Sequence, residues 1–107
     1  MISNMNVDLK NKKITVIGMG ETGHGASFLA NKLGANVLLS DSNSNAKESF
    51  IKNAKNIGIK IENGGHTEKI YDSDLWIISP GVSDNINIVT NAKAKGIKII
   101  SEIEFAS

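Results

Sequence analysis

The most constraining feature of this chain is the order of elements encoded between residues 14 and 41. An apolar run at 14–17 leads into a glycine-rich turn, GMGETG at 18–23, and a stretch with helical periodicity follows. A second apolar run at 37–39 then ends on Asp41. This succession of strand, glycine loop, helix, strand and acid predicts a βαβ unit that binds a nucleotide.

The parts of such a unit have separate mechanical roles. Gly18 permits the tight turn out of the strand, Gly20 lets a diphosphate approach the backbone, and Gly23 lets the helix pack close to the sheet. The start of the helix offers unpaired N–H groups and a partial positive charge, which suit an anion. Asp41 can accept a hydrogen bond from a ribose hydroxyl or from a base N–H.

Two residues of the loop leave an alternative open. Glu21 places a carboxylate where a phosphate is expected, so it has to point away from the ligand or be neutralised by it. Thr22 stands at the start of the helix, where its hydroxyl can cap the helix or donate to a phosphate. The alternative is therefore a glycine turn whose role is only structural.

Composition narrows the classes of function. The chain has 107 residues and a formal net charge of +1, which gives no general attraction to nucleic acid or to a membrane. All twelve basic residues are lysines. The chain has no cysteine, and this absence excludes disulfides, thiol nucleophiles and cysteine-ligated zinc. His24 and His66 are far apart in the sequence, so we expect no metal site. The first ten residues contain no signal core, and a cytoplasmic location is expected.

Five apolar strand candidates alternate with helical or turn-rich stretches. The strands are expected at 13–17, 36–40, 59–62, 75–79 and 97–101, the helices at 22–33, 45–56 and 85–95, a helical turn at 67–71, and the start of another helix at 102–106. This alternation predicts an α/β fold, a Rossmann-like five-stranded parallel sheet with helices on both faces. Right-handed crossovers and a nucleotide motif on the first strand give the order 3-2-1-4-5.

The helices are expected to bury one apolar face each. The expected core positions are Ala26, Leu29, Ala30 and Leu33 in the first helix, and Phe50, Ala54 and Ile57 in the second. Gly34 and Gly58 are expected to end these two helices. Trp76 lies in the fourth strand, and we expect it to pack in the core rather than to stack on a ligand.

The predicted strand order brings three segments together beyond the carboxyl ends of the strands, where such sheets bind ligands. They are the glycine loop, residues 41–43 and residues 79–83. Pro80 ends the fourth strand, and Gly81 can take a positive φ or let a ligand pass close. We expect this turn to face the ligand, with a simple strand-ending turn as the alternative. For His66, which closes the third strand, we expect a turn role rather than catalysis.

Together, the loop, the acid and the later turn resemble the N-terminal domain of the Mur ligases, in particular the MurD ligases that add D-glutamate. The resemblance lies in VIGMGETG (16–23), LGANVLLSD (33–41), GIKIENGGH (58–66), DLWIISPGVS (74–83) and AKAKGIKIISEIEFA (92–106). It covers nearly the whole chain from about Lys12. It implies that residues 1–107 are a single UDP-substrate-binding domain, a fragment without the ATPase and C-terminal domains.

The resemblance implies binding of the UDP part of UDP-N-acetylmuramoyl-L-alanine. The backbone N–H groups of Glu21 and Thr22 would meet the diphosphate, and Asp41 with Ser42 would contact the uracil end. Gly81, with Ser79 and Pro80 shaping the turn, would line the opposite wall. The full set expected to bind UDP is Gly18, Gly20, Glu21, Thr22, Gly23, Asp41, Ser42, Ser79, Pro80 and Gly81. Asn43 departs from the family pattern, because relatives often carry a basic residue there.

The resemblance also implies that the full enzyme uses ATP and magnesium to activate the alanine carboxylate for attack by D-glutamate. Those steps belong to the other domains of the same chain, so residues 1–107 alone are expected to be monomeric, cofactor-free and inactive. Two alternatives stay open. One is an NAD-binding Rossmann domain of a dehydrogenase or regulatory sensor, which the SPG and SEIEF segments disfavour. The other is an interaction domain that keeps the fold without a ligand.

Overall fold

The computed structural model describes residues 9–18, 21–41, 48–78, 86–101 and 105, with 21–24 and 86 described by their backbone only. The elements follow the alternating order expected from the sequence. They are β1 (Lys13–Ile17), α1 (Glu21–Lys32), β2 (Asn36–Asp41), α2 (Glu48–Asn56), β3 (Lys60–Asn63), a 3₁₀ helix (Glu68–Tyr71), β4 (Leu75–Ile78), α3 (Ile86–Ala94) and β5 (Lys98–Ser101).

The five strands form one parallel sheet in the order β3-β2-β1-β4-β5, so the predicted fold class and strand order are confirmed. The order places β1 and β4 side by side at the centre, with β2 beside β1. In a parallel sheet of this order, the ends of β1, β2 and β4 share one edge. Phe105 is helical and buried, while 102–104 and 106–107 lie outside the described residues.

Apolar side chains alternate between the two faces of the sheet and build a core on each. On one face, Val16 and Leu39 pack with Ala30 of α1 and Ala54 of α2. On the other face, a second cluster consists of Ile17, Ile70, Trp76, Ala92 and Ile97. Helices therefore cover both faces, as the strand–helix alternation predicts. None of the helices in the described part of the chain has the length and apolar content of a membrane span.

Two expected core positions are wrong. Leu33 and Ile57 are 38% and 47% exposed, whereas Ala30 and Ala54 are fully buried. The reason is that α1 ends at Lys32 and α2 ends at Asn56, one residue before each of these side chains. The chain then turns through glycines with φ of +91° at both 34 and 58, which confirms the predicted helix ends.

Trp76 is a core residue, as predicted, and it also holds the 3₁₀ helix against the sheet. Its side chain is fully buried, and its Nε1–H donates to the carbonyl oxygen of Ile70 at 2.6 Å. Its ring stacks on Tyr71, with the two centroids 5.8 Å apart. A buried indole N–H needs such a partner, and the Ile70 carbonyl supplies it.

We predict that Trp76→Phe lowers the free energy of unfolding by about 1–3 kcal/mol, because the Ile70 carbonyl loses its short hydrogen bond in a buried site. Urea denaturation followed by far-UV circular dichroism measures this change. Ile57→Ala is the matched control, since it truncates an exposed apolar side chain and should cost at most about 0.5 kcal/mol. Equal stabilities of Trp76→Phe and the unsubstituted chain would contradict the anchoring role.

Candidate functional site

The glycine turn leaves the sheet at the end of β1 as the sequence predicts. Gly18 has a φ of +105°, a conformation that L side chains rarely adopt. Its N–H donates to the carbonyl oxygen of Ser40 on β2 at 2.8 Å. The chain then enters α1, which begins at Glu21. The backbone of Glu21, Thr22 and Gly23 thus forms the first turn of a helix, where N–H groups have no partner within the helix.

The predicted acid stands at the carboxyl end of the neighbouring strand. Asp41 is the last residue of β2, pairs with Asn63 of β3 and is half-buried. Its carbonyl oxygen accepts a hydrogen bond from the N–H of Gly65 at 3.2 Å. Since Ser40 is paired with Ile17 across β1 and β2, Asp41 and the glycine turn lie at the same edge of the sheet. We call this edge, at the carboxyl ends of β1, β2 and β3, the ligand edge.

The other predicted binding residues lie outside the described part of the chain. They are Gly20, Ser42, Ser79, Pro80 and Gly81, together with the departing position Asn43. β4 ends at Ile78, which is paired with Ile17 of β1. The carboxyl ends of β1 and β4 therefore lie side by side. The binding roles of the whole predicted set stay predictions.

Sequence reasoning missed a polar cluster at the ligand edge, formed by Ser40, Glu62, His66 and Thr67. The hydroxyl of Ser40 lies 2.7 Å from Glu62 Oε2 and 2.7 Å from His66 Nδ1. Thr67 donates to the same carboxylate twice, through its N–H at 2.9 Å and its hydroxyl at 2.6 Å. His66 thus has the turn position expected, but it also carries a specific side-chain bond. The sequence feature that pointed to this cluster was a polar residue, Ser40, at the end of an apolar strand.

The cluster keeps Glu62 ionised. Partial burial raises the pKa of this carboxyl, but the hydrogen bonds from Ser40 and Thr67, with a smaller electrostatic contribution from the neighbouring His66, outweigh burial and hold the pKa below its ordinary value. The three hydrogen bonds that its oxygens accept, one from Ser40 and two from Thr67, stabilise the ionised form.

Two depressions lined by described residues do not include Gly18 or Asp41, although the second reaches Glu62. One of about 400 Å³ is lined by residues at the amino ends of the strands, including Lys13, Asn36 and Lys60. A second depression shares four lining residues with the first, namely Leu38, Gly58, Lys60 and Lys69. We place the candidate site at the ligand edge, because the topology of the sheet and the helix start both point there.

Comparison with known proteins decides the family. Residues 12–101 match the model of the Mur ligase MurD-like N-terminal domain. The chain belongs to the MurD-like family. The match covers most of the chain, including every strand of the sheet.

Individual relatives agree with this assignment. The MurD-like domain is 44% identical over 97 residues to a UDP-N-acetylmuramoylalanine–D-glutamate ligase of Christiangramia forsetii, which covers 90% of this chain and 22% of the relative. It is 40% identical over 102 residues to the ligase of the same name from Bdellovibrio bacteriovorus, and this match covers 94% of this chain and 22% of the relative. The chain therefore spans about a fifth of the length of these curated relatives.

Solved structures show the same fold. A pseudomurein peptide ligase type C from Methanothermus fervidus is 31% identical with a TM-score of 0.71, covering 90% of the MurD-like domain and 20% of that chain. Shikimate dehydrogenase from Aquifex aeolicus has a TM-score of 0.61 at 18% identity, and the match covers 98% of the MurD-like domain and 47% of the dehydrogenase chain. The second likeness concerns the fold alone.

We predict that Glu62→Gln destabilises the MurD-like domain by about 1.5–3 kcal/mol at pH 7, because an amide cannot accept all three hydrogen bonds. Since the folded state lowers the pKa of Glu62, its contribution is present above the ordinary value of 4.5 and is lost as the pH falls through the lowered value. The difference in the free energy of unfolding between the two chains should therefore shrink as the pH falls below 4.5. Urea denaturation at pH 7 and pH 3 measures it.

The control for this prediction is Glu48→Gln, which makes the same exchange at an exposed position in the first turn of α2. It should change the free energy of unfolding by no more than about 1 kcal/mol at pH 7. A Glu62→Gln effect of the same size at both pH values would mean that the charge of Glu62 plays no part in the cluster.

Proposed function

We propose that this domain binds the UDP end of UDP-N-acetylmuramoyl-L-alanine. The main support for the proposal is that the chain belongs to the MurD-like family. In addition, Gly18 of the glycine turn and Asp41 lie at the same edge of the sheet. The first turn of α1 begins three residues after Gly18, so its N–H groups are available to a diphosphate beside that edge. In this proposal the carboxylate of Asp41, at the end of β2, accepts a hydrogen bond from the ribose or the uracil.

The chain has no arginine, so its electrostatic contribution to diphosphate binding has to come from backbone N–H groups and lysines. Backbone N–H groups at a helix start need no side-chain charge to attract an anion. We therefore expect selective but modest affinity from this domain alone.

For the whole protein we propose an ATP-dependent ligase that joins D-glutamate to UDP-N-acetylmuramoyl-L-alanine in peptidoglycan synthesis, in the cytoplasm. The curated relatives are named as ligases of this kind, and this chain corresponds to about a fifth of their length. In this proposal, ATP and magnesium act in the other domains. Binding the remote UDP end would position the reacting carboxylate, so that binding energy serves the chemical step at a distance.

The competing proposal is an NAD-binding domain. Its support is the shared fold with shikimate dehydrogenase and the position of Asp41, which also suits an adenosine ribose. Family membership favours UDP, since the likeness to the dehydrogenase is at 18% identity. A direct comparison of the two nucleotides separates the proposals.

We predict that the domain binds UDP more tightly than NAD in calorimetric titrations. Asp41→Asn should weaken UDP binding by about tenfold to a hundredfold, because it replaces a charged hydrogen bond worth about 1.5–3 kcal/mol. Asp72→Asn is the matched control. That acid is exposed and pairs with Lys13 at the opposite edge of the sheet, at 2.9 Å, so its loss should leave UDP affinity unchanged.

Two outcomes would contradict the proposal. Tighter binding of NAD than of UDP would favour the dehydrogenase reading. Equal losses of UDP affinity in the Asp41 and Asp72 variants would mean that Asp41 does not contact the nucleotide.

We also predict that residues 1–107 alone release no phosphate from ATP in the presence of D-glutamate and UDP-N-acetylmuramoyl-L-alanine. Phosphoryl transfer needs a phosphate cradle, and the sequence contains no G-x-x-x-x-G-K-[ST] motif to supply one. A colorimetric phosphate assay measures the release, with the Gly20→Val chain as the background. Release above that background would show that catalytic groups reside in this domain.

A further inference from the structure

The hydrogen-bond pattern of the polar cluster fixes which atom donates to which. The Ser40 hydroxyl has one proton and lies 2.7 Å from both Glu62 Oε2 and His66 Nδ1. An ionised carboxylate can only accept, so the Ser40 proton belongs to Glu62. The same hydroxyl must then accept from His66, and Nδ1 of the imidazole carries a proton.

This arrangement does not activate a nucleophile. In a serine–histidine–acid relay the imidazole stands between the hydroxyl and the carboxylate, and it removes the hydroxyl proton. Here the hydroxyl stands between the imidazole and the carboxylate, and Ser40 is fully buried. The hydroxyl is neither deprotonated by His66 nor reachable by a substrate.

What Ser40 does instead is connect the parts of the ligand edge. Its carbonyl oxygen receives the N–H of Gly18, and its hydroxyl links β3 and the turn that follows β3. The next carbonyl, that of Asp41, receives the N–H of Gly65 in the same turn. The glycine turn, the end of β2 and the turn holding His66 therefore share one network centred on Ser40.

We propose that His66 is a positioning residue for nucleotide binding: its Nδ1–H orients the Ser40 hydroxyl, and through Ser40 it fixes the end of β2 at which Asp41 meets the nucleotide. This inference rests on the proposed function. His66 acts on the ligand through Ser40 and the backbone, and it needs no direct contact with UDP. Its other nitrogen, Nε2, is buried and has no hydrogen-bond partner among the described residues, so Nδ1 makes the hydrogen bond that the structure gives for this ring.

The first test is the tautomer of His66. Side-chain ¹⁵N NMR at neutral pH should show Nδ1 protonated and Nε2 unprotonated in the folded chain. Ser40→Ala removes the acceptor of this proton and should change the His66 ¹⁵N shifts. A neutral imidazole protonated at Nε2 would overturn the proposal, because it could not donate to Ser40.

The second test compares UDP affinity across three substitutions of His66. The amide nitrogen of asparagine can occupy the place of Nδ1, whereas that of glutamine reaches the place of Nε2. We expect His66→Leu and His66→Gln to weaken UDP binding about tenfold, and His66→Asn to recover most of that loss. If His66 touched the nucleotide through Nε2, glutamine would be the substitution that recovers affinity, and positioning through Ser40 would be wrong.

A coupling measurement separates positioning from general stability. Ser40→Ala and His66→Leu should each weaken UDP binding, and the double variant should be no weaker than the worse single variant, because both break the same connection. Additive losses would overturn the proposal. So would variants that lower the free energy of unfolding but keep the UDP affinity of the unsubstituted chain.

These measurements also distinguish failure of the inference from failure of the proposed function. If the unsubstituted chain does not bind UDP in the calorimeter, the proposed function fails and the positioning role fails with it. If the unsubstituted chain binds UDP and Asp41→Asn weakens the binding, but the His66 substitutions do not, the proposed function stands and only the inference is overturned.

Discussion

The ligand edge depends on the hydrogen bonds of one buried residue, Ser40. Through its carbonyl it holds Gly18, and through its hydroxyl it holds Glu62 and His66. A buried hydroxyl without partners would cost about 1–3 kcal/mol, so the strand can carry a serine here only because the neighbouring segments supply a donor and an acceptor. The same requirement brings those segments to defined positions. A polar residue at the end of an apolar strand thus connects Gly18, β3 and the turn that follows β3.

Glu62 connects this edge to the core behind it. Besides the Ser40 bond, its carboxylate receives both the N–H and the hydroxyl of Thr67, and Thr67 caps the 3₁₀ helix. That helix in turn is fastened to the sheet by Trp76, whose indole donates to Ile70. The long connection between β3 and β4 is therefore held at two points, one polar and one apolar. A substitution at either point is expected to affect the other, because only one turn of the 3₁₀ helix separates them.

The sequence predicted the sheet well because its signals are local or follow from general rules. Apolar runs mark the strands, glycines with positive φ mark the helix ends, and handedness fixes the order of the strands. The errors at Leu33 and Ile57 came from extending a helical period by one residue past each helix. The polar cluster could not be predicted, because it depends on the register that pairs Ser40 with Glu62 across two strands. Register is a tertiary property, and neither residue carries a motif of its own.

Fold alone does not choose the nucleotide. The fold is shared with a dehydrogenase at a TM-score of 0.61, so one fold serves proteins of different chemistry. What can differ is how firmly the acid is held relative to the turn. In this chain the end of β2 that carries the acid is hydrogen-bonded on both sides, to Gly18 just after β1 and to Gly65 in the turn after β3. A carboxylate on a fixed backbone discriminates between ligands by the position of their donors. A mobile carboxylate would adapt to either nucleotide. Under the proposed function, the hydrogen bonds of Ser40 therefore contribute to the choice of UDP over NAD.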